Sequence, residues 1–251
     1  MVDALVLAGG GEGEIEKKFG ISNRALLVIE DRFMIEYIVE ALKSVSSINR
    51  VVVVGPVREF QSRIGKLVDT VIAPGDNPFQ STLRGLESLR TQEKVLVTSC
   101  DVPLIKGEMV EDFFLRCSKK EADFYYPIVR EESYVKKFGK VRRTFATLRD
   151  GSFTGGNILY FDPSILKRKR DLIEKIVESR KNPLTIARLL GLTIIIKYLL
   201  RVLTVEEIEK RTEKVTGIKG RAIITPYSEI GFDVDRVEHV EIVKEFLKKR
   251  S

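Results

Sequence analysis

Short runs dominated by Val, Ile and Leu recur through the first hundred residues, at Ala4–Leu7, Val51–Val54, Thr70–Ile72 and Val95–Thr98. Runs that are continuous rather than alternating suit strands buried on both faces, as in parallel sheets covered by helices. The segments between them supply the helices. Phe33–Leu42 sets Met34, Ile35, Ile38, Val39 and Leu42 on one face, and Val57–Leu67 and Ser81–Leu89 read the same way. Beyond residue 120, Asp123–Arg130 and Thr144–Leu148 read as β segments, and residues 151–157 as a loop leading into a strand at Ile158–Phe161. Residues 163–214 are mostly helical in pattern, Ala222–Thr225 resumes a strand, and a last helix covers Val237–Lys249. The expected fold is a three-layer α/β/α domain with a mostly parallel central sheet, spanning residues 1–251 and carrying a helical insertion at about 163–215.

Composition narrows the chemistry. The 43 Lys and Arg against 36 Asp and Glu leave a formal charge of +7. Acidic residues are interleaved in most windows, so the excess points to anionic ligands without indicating nucleic acid. Two cysteines, Cys100 and Cys117, form neither a disulfide framework nor a metal-ligand spacing, and a reducing cytoplasm is the expected setting. One histidine, His239, makes His-based catalysis an unattractive reading, and its place in the last helix suggests a surface residue. The N-terminus enters the first strand with no basic or small-residue signal, so no signal peptide is expected. The apolar stretch Ile186–Leu203 is interrupted by Arg188, Lys197 and Arg201, which excludes a membrane span. It reads as core or as a subunit-contact helix pair, allowing a homo-oligomer.

Five groups of residues could carry chemistry. Leu7-Ala8-Gly9-Gly10-Gly11-Glu12-Gly13 follows the first strand directly, where glycine backbone can approach phosphates. An ordinary glycine-rich turn fits equally well, and neither the dinucleotide fingerprint nor Walker A is present. Asp101 follows the strand Val95–Thr98, at the end of a parallel sheet where ligands bind, though a helix cap would look the same. Asp233 and Asp235 alternate along an extended segment and could face one cation, or cap the final helix. Arg142 and Arg143 read as an anion clamp or a charged sheet edge. The glycine pair in Thr154-Gly155-Gly156-Asn157 suggests close approach of backbone to a ligand.

Leu-Ala-Gly-Gly, a short loop, then Arg24-Ala25-Leu26-Leu27, together with the stretch from Val97 through Asp101-Val102-Pro103-Leu104, resembles the MobA-like nucleotidyltransferases. These enzymes are of the molybdenum-cofactor guanylyl- and cytidylyltransferase type, with a GT-A-like fold. Gly231-Phe232-Asp233-Val234-Asp235 and Thr154–Asn157 resemble further segments of that family. Pro74–Leu86, with Gly75 and Ser81, resembles its base- and ribose-contacting stretch.

The resemblance implies transfer of a nucleotide from an NTP to a phosphorylated small-molecule acceptor. Leu7, Ala8, Gly9, Gly10, Gly11 and Gly13 would cradle the triphosphate, and Arg24 would act on developing charge. Mg²⁺ or Mn²⁺ would be held by Asp101 with Asp233 or Asp235, and Thr154–Asn157 would face the acceptor. Two departures stand out: the family's loop Arg is missing, with Lys18 the candidate replacement, and Asn23-Arg24 stands for Pro-Lys. They leave open a nucleotide-binding homologue without turnover, and Asp233-Val234-Asp235 formally admits a GT-A glycosyltransferase.

Overall fold

The structure, a computed structural model, describes residues 1–11, 13–178 and 189–249. Strand β1 (Val2–Leu7) lies between β4 (Ile48–Val54) and β6 (Val95–Ser99), parallel to both, and β5 (Thr70–Ile72) extends the sheet beyond β4. Successive side chains leave on opposite faces. Ala4, Val6, Val51, Val53 and Leu96 join one buried cluster, with Ile35, Ile38, Met109 and Phe113 from the covering helices. Leu5, Val52, Val95 and Val97 join the cluster on the other face, with Phe79 and Leu89. Two apolar faces explain why these runs show no alternation in the sequence.

The second half of the sheet is built around β7 (Phe124–Arg130). On one side it pairs in parallel along its length with β11 (Gly220–Thr225). On the other it meets two strands in turn: β10 (Ile158–Phe161), which also pairs with β6, and β9 (Gly151–Gly155), which goes on to pair with β8 (Ala146–Leu148). Among the described strands of this sheet, β9 and β10 alone run against the rest. The register shifts between them at Gly156–Asn157, so the sheet forks there, at the level where β6 ends. The expectation of a loop over 151–157 is therefore corrected: only Gly156 and Asn157 lie outside strands. The glycines of that stretch mask a strand whose Phe153 and Thr154 are both buried.

Other elements escaped the sequence reading. They are the helices Glu14–Phe19, Gly107–Cys117 and Glu131–Phe138 and a two-stranded hairpin at Val28–Ile29 and Arg32–Phe33. The helical insertion comprises Ser164–Arg168, Arg170–Glu178, Leu192–Leu199 and Val205–Thr216, and the part of the expected helical stretch at 179–188 lies outside the described residues. Its ends are fastened at one point. Phe161 and Gly220 both pair with Phe124, and next to it the Asp123 carbonyl accepts from the Asp162 N–H at 2.8 Å while the Asp123 N–H donates to the Lys219 carbonyl at 2.9 Å. Leu190, Ile194 and Leu203 form a small cluster with Leu148 and Ile208, whereas Leu192, Leu199 and Leu200 are exposed. No helix among the described residues is long and apolar enough to cross a membrane.

Candidate functional site

The loops that leave the carboxyl ends of β1, β4, β5, β6 and β11 converge at one edge of the sheet. The loop after β1 is fixed from below by Asn23, whose buried side chain donates to the Ala8 carbonyl at 2.9 Å and accepts from the Ala25 N–H at 2.9 Å. Gly10 has a φ of 75°, and a Cβ there would come within 2.5 Å of the Asn23 Nδ2. Both conditions demand glycine at that turn. Gly11 is different: a Cβ there would meet nothing within 4 Å, so the loop faces open space at that residue. Ser81 is buried and accepts from the Gly75 N–H at 3.0 Å, and Asn77 caps the same helix by accepting from the Gln80 N–H at 2.8 Å. Ser81 thus holds the 74–77 turn against Gly9, whose added Cβ would lie 3.5 Å from Pro74.

Arg24 stands between two carboxylates. Its Nε donates to Glu16 Oε1 at 3.0 Å and its Nη1 to Asp101 Oδ2 at 3.3 Å. Burial works against its charged form, but Glu16 and Asp101 outweigh this and hold its pKa above the usual value. Asp101 keeps its other oxygen, Oδ1, buried and without a hydrogen-bond partner among the described residues. Burial, reinforced by the neighbouring Asp233 carboxylate, pushes the Asp101 carboxyl above its ordinary range, against the pull of Ser99 and Arg24. The Val234 N–H donates to the Asp101 carbonyl at 2.8 Å, which brings the 233–235 segment alongside.

Across from Asp101, Asp233 Oδ1 accepts from Arg143 Nη1 and, at 3.4 Å, from Asn157 Nδ2. Arg143 also donates to Thr154 Oγ1 at 3.0 Å and to the Gly155 carbonyl at 2.9 Å. Its guanidinium is spent on the protein, so of the clamp expected of Arg142 and Arg143, Arg143 is a brace, while Arg142 is exposed. The glycine pair also acquires another meaning. A Cβ at Gly155 would lie 1.9 Å from the Tyr126 hydroxyl, and one at Gly156 would lie 2.8 Å from both Ile230 and Pro127. On the side where a Cβ would stand, the protein itself approaches that backbone.

Asp233 and Asp235 have different partners. Asp235 instead accepts from His239 Nδ1 at 3.0 Å, and His239 holds its carboxyl below the usual range. His239 is buried, contrary to expectation, with Nδ1 also 2.8 Å from the Asp233 carbonyl. Burial alone would lower the imidazole pKa, but Asp235 and the Asp233 carbonyl raise it. Lys18 is exposed in the last turn of its helix. Cys100 is buried, which pushes its thiol well above the usual value and fits packing rather than chemistry. Glu16 and Asn23 were not singled out as site residues. The only sequence signal for Glu16 is a Glu three residues beyond the helix-capping Gly13.

A cradle of this kind suits a nucleotide, and the sequence matches accordingly. Residues 4–188 match the MobA-like NTP transferase domain. The chain belongs to that family. A molybdenum cofactor guanylyltransferase from Shewanella sediminis (strain HAW-EB3) is 27% identical over 125 residues, 49% of this chain and 60% of that protein. The match to this curated relative thus spans about three fifths of its length. Among solved structures, a hypothetical transferase from Thermus thermophilus superposes with a TM-score of 0.83 at 32% identity, covering 96% of this chain and all of that one. A nucleotidyl transferase from Methanothermobacter thermautotrophicus shares the fold, with a TM-score of 0.61 at 13% identity over 100% of this chain and 99% of that one.

Proposed function

We propose that this MobA-like chain transfers a nucleotide from an NTP to a phosphorylated small-molecule acceptor in a Mg²⁺-dependent reaction. An oxygen of the acceptor phosphate attacks the α-phosphorus, the bond to the β-phosphate oxygen breaks, and pyrophosphate leaves with the bonding electrons. Such a reaction asks the protein for in-line positioning and for compensation of developing charge. The observation that carries the reading is the Asp101 carboxylate, with one buried oxygen that has no hydrogen-bond partner among the described residues and a second carboxylate, Asp233, near enough to act on it. Two neighbouring carboxylates suit Mg²⁺, which takes oxygen ligands and completes its shell with water and substrate phosphates. No group of three or more His, Cys, Asp or Glu among the described residues is arranged to hold a metal by itself.

Asp101 and Asp233 would hold the cation, which when bound neutralises the triphosphate. The loop Gly9–Gly13 offers backbone to the phosphates, and Arg24 adds positive charge beside Asp101. Around this point, two guanidinium groups, Arg24 and Arg143, stand against three carboxylates, Glu16, Asp101 and Asp233. A polyanion therefore needs a divalent cation here. The pairing of Asp235 with His239 weighs against a glycosyltransferase-type D-x-D at 233–235.

The test is thermal stabilisation by the four common NTPs with and without Mg²⁺, followed by pyrophosphate release with phosphorylated acceptors. GTP comes first because the curated relative is a guanylyltransferase. A ligand at a hundred times its Kd stabilises by about 2.7 kcal/mol. Mg²⁺-dependent stabilisation is expected. Silence with every NTP overturns the nucleotide reading, and binding without pyrophosphate release leaves a nucleotide-binding protein instead.

A further inference from the structure

Glu16 lies one helical turn past the glycine loop, and its carboxylate is almost wholly buried. Its two oxygens serve different partners: Oε2 accepts from the Gly13 N–H at 3.1 Å and Oε1 from Arg24 Nε at 3.0 Å. Space around it is tight, because a Cβ on Gly13 would lie 2.6 Å from Glu16 Oε2 and 3.0 Å from Arg24 Nη2. A guanidinium is planar, so a partner on Nε fixes the direction of the remaining edge. With Nε on Glu16, Nη1 reaches Asp101 and Nη2 lies beside the loop backbone at Gly13.

We infer that Glu16 is a positioning residue that sets the plane of Arg24, so that the Nη1–Nη2 edge meets the phosphate chain between the glycine loop and Asp101. This rests on the nucleotide reading of the site and assigns a residue that reading does not include. It also accounts for Arg at position 24: an ammonium has no plane for Glu16 to set. The same carboxylate ties the loop to the arginine, so the two anion-binding parts move as one.

An amide cannot replace this carboxylate. Glutamine offers one acceptor and one donor group, so it must lose either the Gly13 or the Arg24 bond. The experiment is a double-mutant cycle of Glu16→Gln and Arg24→Ala, with Mg²⁺-tripolyphosphate as a base-independent probe in calorimetric titration and thermal melts run in parallel. Because Glu16 acts through Arg24, Glu16→Gln is expected to weaken binding on the order of tenfold in the parent and not at all in Arg24→Ala. A purely helix-capping role predicts a lowered Tm in both backgrounds and an equal or absent effect on binding, and that result overturns the inference. A parent that binds no tripolyphosphate sinks the nucleotide reading and this inference together, whereas binding with additive losses sinks the inference alone. Independently of any ligand, the Arg24 Nε–H is expected to be protected from solvent exchange in ¹⁵N spectra and to lose that protection in Glu16→Gln or Glu16→Asp. Unprotected exchange in the parent overturns the inference as well.

Discussion

The site has two glycine-containing segments of similar appearance, and they do opposite things. Around Gly11 the loop after β1 faces open space, held from beneath by Asn23 and Glu16. At Gly155–Gly156 the sheet fork is closed by Tyr126, Pro127 and Ile230. The first segment leaves room for something outside the protein, and the second lets the protein pack on itself. The carboxylates divide likewise. Asp101 keeps a buried oxygen unpaired, while Asp233 is braced by Arg143, and Arg143 in turn by Thr154 and the Gly155 carbonyl.

The sharpest way to break this contrast is a pair of alanine substitutions. Gly155→Ala is expected to destabilise by about 2–3 kcal/mol, since tyrosine and strand must both shift to admit the methyl. Gly11→Ala is expected to stay within about 0.5 kcal/mol of the parent while weakening NTP binding. Chemical denaturation measures both, and comparable losses would erase the distinction.

A smaller effect of opposite sign is expected at Asp101. In Mg²⁺-free buffer Asp101→Asn removes a buried charge that faces Asp233, so stability should rise, by up to about 1 kcal/mol. Added Mg²⁺ and NTP should then stabilise the parent and leave the variant unchanged. A variant less stable than the parent in metal-free buffer would make Asp101 a structural residue.

The smallest expected effect lies outside the site and serves as a reference. Burial alone would raise the Asp69 carboxyl, but the Val51 N–H at 2.9 Å and Lys43 at 3.0 Å hold it below the usual range. Its contribution is present above the ordinary carboxylate value of about 3.9 and is lost as pH falls through its lower folded value. Asp69→Asn should therefore flatten the acid limb of stability, by less than about 1 kcal/mol for so exposed a pair. An unchanged acid limb would count against the pairing.

The parallel half of the fold is legible because burial on both faces writes itself as unbroken Val and Ile runs, and Thr70–Ile72 matches its strand to the residue. The forked half is not, since Gly151 and Gly155 punctuate a strand as turn residues would. Within the site, Asp101 and Arg24 could be named because a motif surrounds them. Glu16, Asn23 and His239 could not, because what makes them matter is a partner distant in sequence or a burial that no local pattern encodes. Asp235 shows the same limit: alternation suggests a shared face with Asp233, and no local pattern announces that a histidine four residues on pairs with it.

The fastening at Asp123 bears on how such a protein can change. The chain leaves the sheet at Phe161 and returns at Gly220, on the two flanks of one residue of β7, Phe124. Neighbouring strands are about 4.8 Å apart, so departure and return are separated by roughly 10 Å, whatever is threaded between them. The segment that leaves at 162 and returns at 219 is thus held at its two ends by a fixed socket. Ile165, Leu166 and Ile218, close to those ends, pack with Leu5, Val52 and Val97 in the sheet's second buried cluster, so change is accommodated at the exposed Leu192, Leu199 and Leu200 rather than beside the socket.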